Sequence, residues 1–462
     1  MTLESNVPPT DTLQELDAAH HLHPFTDGNA LNAERARVIA AADGVMIRDA
    51  EGREFLDAMA GLWCVNIGYG RRELADAATR QMRKLPYYNT FFHTTHPPAV
   101  ALSAKLAELA PGGLSHVFFA SSGSEANDTN LRIARRYWAA KGQPGKSVVI
   151  SRLNAYHGST MGSGSLGGMS YMHGQDGLPI PDIVHIGQPY WYAEGGNLSP
   201  VDFGLARARE LEETIGKLGE DRVAAFIAEP IQGAGGVIIP PDSYWPEIQR
   251  ICDAHDILLI ADEVICGFGR TGEWFGSQSY GIRPDIMTVA KGLSSGYLPI
   301  GASVVSSQVA DVLNASGEFN HGYTYSGHPV ACAVALENIR ILEEEGIVDH
   351  AKNVAGPCLA ERWMELGDHP LVGEVRIRGL IGAIELSPDR AIRAPFEGHC
   401  GRAGRLCRES CFENQVVMRS VYDTMVISPP LIITEGEVEI LVSRARSALD
   451  RTLTQLQVEG LM

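Results

Sequence analysis

Two charged residues of this chain stand where charge is costly. The apolar run Ile257-Leu258-Leu259-Ile260-Ala261 ends in Asp262, and twenty-nine residues later Ile286-Met287-Thr288-Val289-Ala290 ends in Lys291. Each run has the length and composition of a buried strand, and a charge at its end needs a partner. Two adjacent strands of this kind would deliver a carboxylate and an amine to one crevice. A structural ion pair meets that need as well as a catalytic pair does. A third stretch shifts the balance. Phe118-Phe119-Ala120-Ser121-Ser122-Gly123-Ser124-Glu125-Ala126-Asn127 reads as a strand, a small-residue turn and the start of a helix. Backbone N–H groups at such a start suit a dianion, and Gly123, between Ser122 and Ser124, permits close approach. Taken alone the turn is an ordinary N-cap. Thr324, in Gly322-Tyr323-Thr324-Tyr325-Ser326-Gly327-His328, offers a further hydroxyl.

An amine, a carboxylate and a phosphate cradle are together what pyridoxal phosphate (PLP) requires. Burial would lower the pKa of Lys291 and make it a nucleophile toward the cofactor aldehyde. Asp262 would keep the pyridine nitrogen protonated, so that the ring accepts electrons from the bond being broken. Released by a substrate amine, Lys291 becomes the base that moves the proton. The ring also needs faces. Tyr156, in Asn154-Ala155-Tyr156-His157-Gly158, follows a strand-like run and can stack on one side. Val264, two residues beyond Asp262, points the same way as that carboxylate and can cover the other. A single tyrosine is otherwise core, so this assignment depends on the rest of the constellation.

The elements that must position these residues are legible as alternation. Strands are expected at His116–Ala120, Ser147–Ser151, Ile183–Ile186, Ala224–Ala228, Ile257–Ala261, Ile286–Ala290 and Ala302–Ser306. Helical stretches such as Glu125–Ala140 and Tyr244–His255 lie between them. This is the pattern of an α/β chain whose mainly parallel seven-stranded sheet is covered on both faces, with ligands at the carboxyl ends of the strands. After about Asn338 the pattern changes. Strands are expected within Leu371–Leu386 and Gln415–Leu431, and helices at Arg402–Glu413 and Glu435–Leu456. The expected organisation is a large domain over 71–338 and a smaller α/β domain built from 339–462 together with the N-terminal segment 1–70. That segment contains a hairpin-like stretch, Gly44–Leu56.

Composition excludes several classes. A net charge of −18 argues against nucleic acid, whose phosphates require clustered Lys and Arg. The polar, acidic stretch from Met1 to Asp17 has no basic or apolar leader pattern, and no run is long enough to span a membrane, so a cytoplasmic protein is expected. The eight cysteines contain no CxxC pair and sit mostly in apolar runs, as free thiols in a reducing compartment do. Gly267-Phe268-Gly269-Arg270-Thr271-Gly272 matches a dinucleotide fingerprint, but Glu273-Trp274-Phe275-Gly276-Ser277-Gln278 continues it without a helical stripe. His20, His21, His23, His93 and His96 suggest a metal, yet no carboxylate spacing supports one, and no metal is expected.

Taken together, these motifs resemble a family. Asp262-Glu263-Val264-Ile265-Cys266-Gly267-Phe268-Gly269-Arg270-Thr271-Gly272, with Lys291 downstream, resembles the signature of the class III (ω-) aminotransferases of PLP fold type I. Ser122–Asn127, Tyr156-His157-Gly158, Ala228–Gly233 and Gly322–Pro329 resemble its other blocks, in order. The likeness runs from about His20 to the C-terminus, and is greatest to bacterial (S)-selective amine:pyruvate transaminases and putrescine–pyruvate aminotransferases. It implies a homodimer with shared active sites, possible pairing of dimers being left open. In that arrangement Tyr323 and Thr324 reach the phosphate of the neighbour's cofactor, while His157 and Glu229 belong to the cofactor's own site.

The resemblance also implies a two-part substrate pocket walled by Phe25, Trp63, Phe92 and Tyr171, with Ala234 keeping one part small. Each of these aromatics could instead be ordinary core. Arg419 resembles a mobile clamp for the carboxylate of pyruvate or alanine, a task suited to a bidentate guanidinium; elsewhere such an arginine makes a surface salt bridge. Ping-pong kinetics follow, with PLP cycling through pyridoxamine phosphate (PMP). Putrescine or β-alanine are alternative natural donors. An aminomutase and a non-catalytic PLP-binding regulator are the competing classes.

Overall fold

The computed structural model describes residues 8–175 and 177–462, so Met1–Val7 of the acidic N-terminal stretch lie outside the described residues. The chain first pairs as an antiparallel meander, β1 (Ile39–Asp43), β2 (Met46–Asp49) and β3 (Glu54–Asp57), which contains the expected hairpin. It then lays down β4 (Leu114–Ala120), β5 (Val148–Arg152), β6 (Ile183–Ile186), β7 (Val223–Ala228), β8 (Leu258–Asp262), β9 (Ile286–Val289) and β10 (Gly301–Ser306). These seven form one sheet in the spatial order β4-β10-β9-β8-β7-β5-β6. They coincide with the seven expected runs. All run parallel except β10, which is antiparallel to both β4 and β9.

Burial on both faces explains why these strands read as continuous apolar runs. Every residue of β7 is buried, and its side chains alternate between two cores. Ile227 packs with Val149, Ile260 and the helix Gly123–Ala140 through Leu131, Ala134 and Trp138. Phe226 and Ala228 pack on the opposite face with Leu211, Ile215, Tyr244, Trp245 and Ile248. Asp262 therefore leaves the sheet at the end of a central strand, with cores above and below it.

The remaining strands are β11 (Val372–Arg378), β12 (Ile381–Leu386), β13 (Val416–Val417), β14 (Arg419–Val421) and β15 (Thr424–Ile427). Four of them form an antiparallel sheet in the order β11-β12-β15-β14. The fifth, β13, pairs in parallel with β3 at Leu56 and Asp57, which brings the two ends of the chain into one sheet. Helices Arg402–Glu413 and Glu435–Val458 pack against these strands.

The glycine-rich stretch Gly267–Gly272 is a turn followed by only a five-residue helix, Gly276–Tyr280, and not a strand-to-helix nucleotide loop. Its Arg270 is fully buried and donates to Leu380 O (3.1 Å), to Asn66 Oδ1 (2.8 Å) and to Pro429 O. Burial pushes this guanidinium down to about 9, still charged at neutral pH. One cation thus ties the N-terminal segment, the glycine turn and the C-terminal strands together. The eight cysteines are all free. No helix among the described residues is long and apolar enough to cross a membrane.

Candidate active site

A cavity of about 370 Å³ opens at the carboxyl ends of β5, β7, β8 and β9. Ser122, Gly123, Ser124, Tyr156, His157, Glu229, Asp262, Val264 and Lys291 all line it, so the structure brings together nine residues singled out from the sequence. A larger cavity of about 740 Å³ lies between β3 and the helix Arg402–Glu413; it shares Leu62 with the first and has Arg419 in its wall. Convergent titratable groups mark the smaller one as the chemical site.

Asp262 is held from three directions. Its Oδ2 accepts from Asn127 Nδ2 (2.8 Å) and faces His157 Nδ1 at 2.7 Å, while Oδ1 accepts from Val264 N (3.1 Å). Asn127 is itself fixed, donating also to His157 O (2.8 Å) and accepting at Oδ1 from Thr288 Oγ1 (2.7 Å). Asn130 Nδ2 donates to that threonine in turn (2.7 Å). This chain of polar groups reaches from the helix Gly123–Ala140 into β9 and locks the carboxylate's orientation. Asn127 and Asn130 were not among the expected site residues. A signal for them exists: they continue, at helical spacing, the buried stripe of Leu131, Ala134 and Trp138.

Lys291 follows β9 after one intervening residue, Ala290, and lines the cavity. Burial lowers its pKa, with Arg419 acting in the same direction and Cys64, Asp262 and Glu229 opposing. Its backbone is left-handed (φ +42°), and so is that of Phe25 (φ +50°), Trp63 (φ +57°) and Phe92 (φ +54°). Left-handed backbone is costly for residues with side chains and gathers at functional sites.

Glu229 is buried beside this pair. Burial, and then the neighbouring Asp262, push its carboxyl up from 4.5 to about 8, against the pull of Arg152 and Lys291. The folded protein without cofactor therefore retains a proton there that the unfolded chain loses near 4.5. Stability contributed by this group falls as pH rises from 4.5 to 8 and is level above, at about 1.4 kcal/mol per unit for a fully coupled site. Glu229→Gln removes that slope. Chemical denaturation of cofactor-free protein at several pH values should show the variant gaining on wild type by a few kcal/mol across this window.

The site's unpaired groups test whether PLP fits. Among the described residues, buried His157 Nε2 and Glu229 Oε2 have no protein partner, although both residues line the cavity. Beside them the eighteen-residue helix begins, its N-cap Ser122 lining the same cavity and accepting from Glu125 N (3.2 Å). The first-turn amides of such a helix have no acceptor within it. A Cβ on Gly123 would stand 2.9 Å from Val264 Cγ2, and one on Gly158 (φ +139°) would stand 2.7 Å from Ser124 Cα. Glycine is what keeps this cradle open. An acceptor, a lysine and an anion cradle in one cavity match the donor set PLP needs.

The residues expected on the substrate side are placed less uniformly. Trp63 is buried within reach of two cations, its ring centroid 5.5 Å from Lys291 Nζ and 4.9 Å from Arg419 Cζ. Ala234 packs in the same apolar cluster as Trp63. Phe25 meets Tyr156 edge-on at 6.3 Å, and Tyr171 is half-exposed with its hydroxyl 2.7 Å from Met169 Sδ. None of Phe25, Trp63, Phe92, Tyr171, Ala234, Arg419, Tyr323 and Thr324 lines the 370 Å³ cavity of its own chain. Phe92 and Thr324 are exposed, and Tyr323 donates its hydroxyl to Glu125 O (3.0 Å).

A doubly wound sheet with a lysine, an aspartate and a helix start in one crevice fits a PLP-dependent enzyme, and comparison with known proteins gives its class. Residues 30–449 match the family Aminotransferase class-III, and the chain belongs to it. It is 60% identical over 439 residues to the putrescine–pyruvate aminotransferase of Pseudomonas aeruginosa, covering 95% of this chain and 96% of that protein. The omega transaminase of Pseudomonas jessenii, solved in complex with PMP, superposes with a TM-score of 0.94 at 44% identity, covering 96% of this chain and 99% of that one. A thermostable (S)-enantioselective omega-transaminase from Thermomicrobium roseum gives 0.94 at 44% identity, with 97% and 100% covered. Class III aminotransferases use PLP.

Proposed function

We propose that this protein transfers an amino group from a primary amine or ω-amino compound to pyruvate or a similar keto acid, its cofactor cycling between PLP and PMP. One observation carries the reading: Lys291, Asp262 and the helix start at Gly123 line a single cavity. Bound PLP supplies the electron sink. Ser122, Gly123 and Ser124 hold the phosphate with amides and hydroxyls. Asp262, oriented by Asn127 and His157, keeps a proton on the ring nitrogen, and Glu229 orders the same face of the site. Tyr156 and Val264, which both line the cavity, would hold the ring between them. Lys291 Nζ, its proton loosened by burial, takes and returns the proton at the amine carbon. The absorbance of bound cofactor tests the reading. Bleaching by an amine donor and recovery with pyruvate are expected, and a band that amine cannot bleach would overturn it.

The relative at 60% identity supports a diamine such as putrescine as donor, with β-alanine the alternative, to be separated by a donor screen. Phe25, Trp63, Phe92, Tyr171 and Ala234 shape the pocket. Arg419 supplies the carboxylate clamp. It makes no ion pair among the described residues, and burial lowers its pKa, so a cation stands ready for a ligand. Arg419→Ala should raise the KM for pyruvate roughly 10–100-fold, the worth of a charged bidentate contact. The rate of cofactor bleaching by a carboxylate-free amine should change little, and single-turnover kinetics of the two half-reactions separate the effects. The exposed Phe92, Thr324 and Tyr325 support a homodimer in which Tyr323 and Thr324 meet the neighbour's cofactor. We assign the protein to the cytoplasm, with a large domain over 71–338 and a small domain from 1–70 and 339–462.

A further inference from the structure

Three metal-ligating side chains gather at the end of the first helix, away from the cavity of Lys291. Asp17 lies in the last turns of Thr10–His20, His21 ends that helix, and His23 follows it. The four-residue spacing puts Asp17 and His21 on one face, and the chain leaving the helix carries His23 back to the same carboxylate. His21 Nδ1 stands 3.1 Å from Asp17 Oδ1, and His23 Nε2 stands 2.8 Å from Oδ2 and 3.0 Å from Oδ1. The two imidazole rings are 4.1 Å apart, and one ligand atom from each residue lies within 4.8 Å of the others. A zinc ion bound at about 2.0–2.2 Å needs its ligand atoms roughly 3.3 Å apart, so each carboxylate–imidazole separation opens by only a few tenths of an ångström to admit one. The spacing of Asp17 to His21 corrects the expectation that these histidines lack a carboxylate.

We propose that Asp17, His21 and His23 bind one divalent ion of zinc's class, with water completing the coordination, and that the ion clips the N-terminal arm over the pocket mouth. Two imidazoles and a carboxylate are a borderline-soft set suited to zinc. The ion can reach it, since the His21 side chain is 59% exposed. The arm has reason to need a clip. Helix Thr10–His20 has no fully buried residue and is held to the chain beyond it by Gln14 Nε2 donating to Ala36 O (2.9 Å) and by Arg35 with Asp11 (2.9 Å), contacts at its start and middle but not at its end. Two residues beyond His23, Phe25 takes a left-handed backbone and aims its ring at Tyr156. A metal joining the helix end to the chain beyond it fixes the turn from which Phe25 projects.

The test uses holoenzyme carrying no affinity tag, titrated calorimetrically with zinc chloride, with deuterium exchange followed over residues 10–25. Wild type should take up one equivalent per chain and exchange at least threefold more slowly in that segment, reversibly with chelator. The His21→Ala/His23→Ala double variant should lose both effects while keeping its cofactor absorbance, and Asp17→Asn should bind more weakly. No uptake, uptake that survives the double variant, or uptake that leaves exchange unchanged would each overturn the proposal. None of these readouts depends on turnover, so the outcome stands apart from the transaminase reading.

Discussion

Lys291→Ala should abolish turnover, with kcat/KM falling by at least about 10⁴, while the protein still folds and still binds PLP. The size follows from the residue's two roles. In the proposed mechanism it is both the amine that would hold the cofactor and the base that would move the proton, a role alone worth about 10²–10⁴. Its removal leaves the Asp262 network and the Gly123 cradle untouched, because neither bonds to the lysine. Steady-state assays with an amine donor and pyruvate give the loss, and the absorbance of bound cofactor shows that binding persists. Small exogenous amines should restore part of the rate, since they can enter the space the side chain vacates. A variant with undiminished turnover would remove Lys291 from the chemistry. A cofactor-dependent conformational response surviving in a protein with no wild-type turnover would favour the regulatory class over the enzyme.

The second large effect is expected at Asp262. Asp262→Asn keeps the shape and one acceptor oxygen but removes the charge. The neutral amide cannot hold a proton on the pyridine nitrogen, so the electron sink weakens at the step where it is needed. It also turns an NH₂ group toward Val264 N or toward Asn127 Nδ2 and His157 Nδ1, all of which now face carboxylate oxygens. A fall of about 10²–10⁴ in kcat is expected, with a much smaller change in KM, because the loss is felt in the transition state. Asp262→Glu should not rescue it, since the longer side chain cannot keep the same three contacts. Comparable losses in kcat/KM for both half-reactions would place the aspartate on the cofactor; a loss confined to one would place it on a substrate.

Much of this site could be read from the chain because its two charges end strands that are buried on both faces. Continuous apolar runs are the form such strands take, and a polar residue closing one is conspicuous. Strand direction carries no such signal, which is why β10 could not be recognised as antiparallel: Ala302–Ser306 has the same composition whichever way it runs. The positioning residues Asn127 and Asn130 are hidden for the opposite reason, being polar groups on a helix face that otherwise reads as core. β13 is only two residues long and finds its partner Leu56 across most of the chain, beyond any local pattern. In the Asp17–His23 cluster helical spacing pairs Asp17 with His21, but the return of His23 depends on how the chain leaves the helix, which periodicity does not describe. Phe92 and Thr324 stand outside the cavity of a single chain, and their assigned roles require a second copy.

The left-handed backbone at Phe25, Trp63 and Phe92 bears on how readily this pocket can be remade. Widening a binding site by truncating an aromatic ordinarily sacrifices stability, but at these positions glycine also relaxes a conformation that costs other residues about 1–2 kcal/mol. That relief exceeds or matches the roughly 0.5–1 kcal/mol of extra chain entropy glycine carries. At Phe25, which is 67% exposed, little packing is lost as well. At Trp63, which is buried, lost packing of about 3–5 kcal/mol outweighs the relief. Glycine, rather than alanine, is therefore the residue with which selection or a protein engineer would enlarge this site. The aromatics proposed as walls of the substrate pocket are the part of the enzyme most open to accepting another substrate.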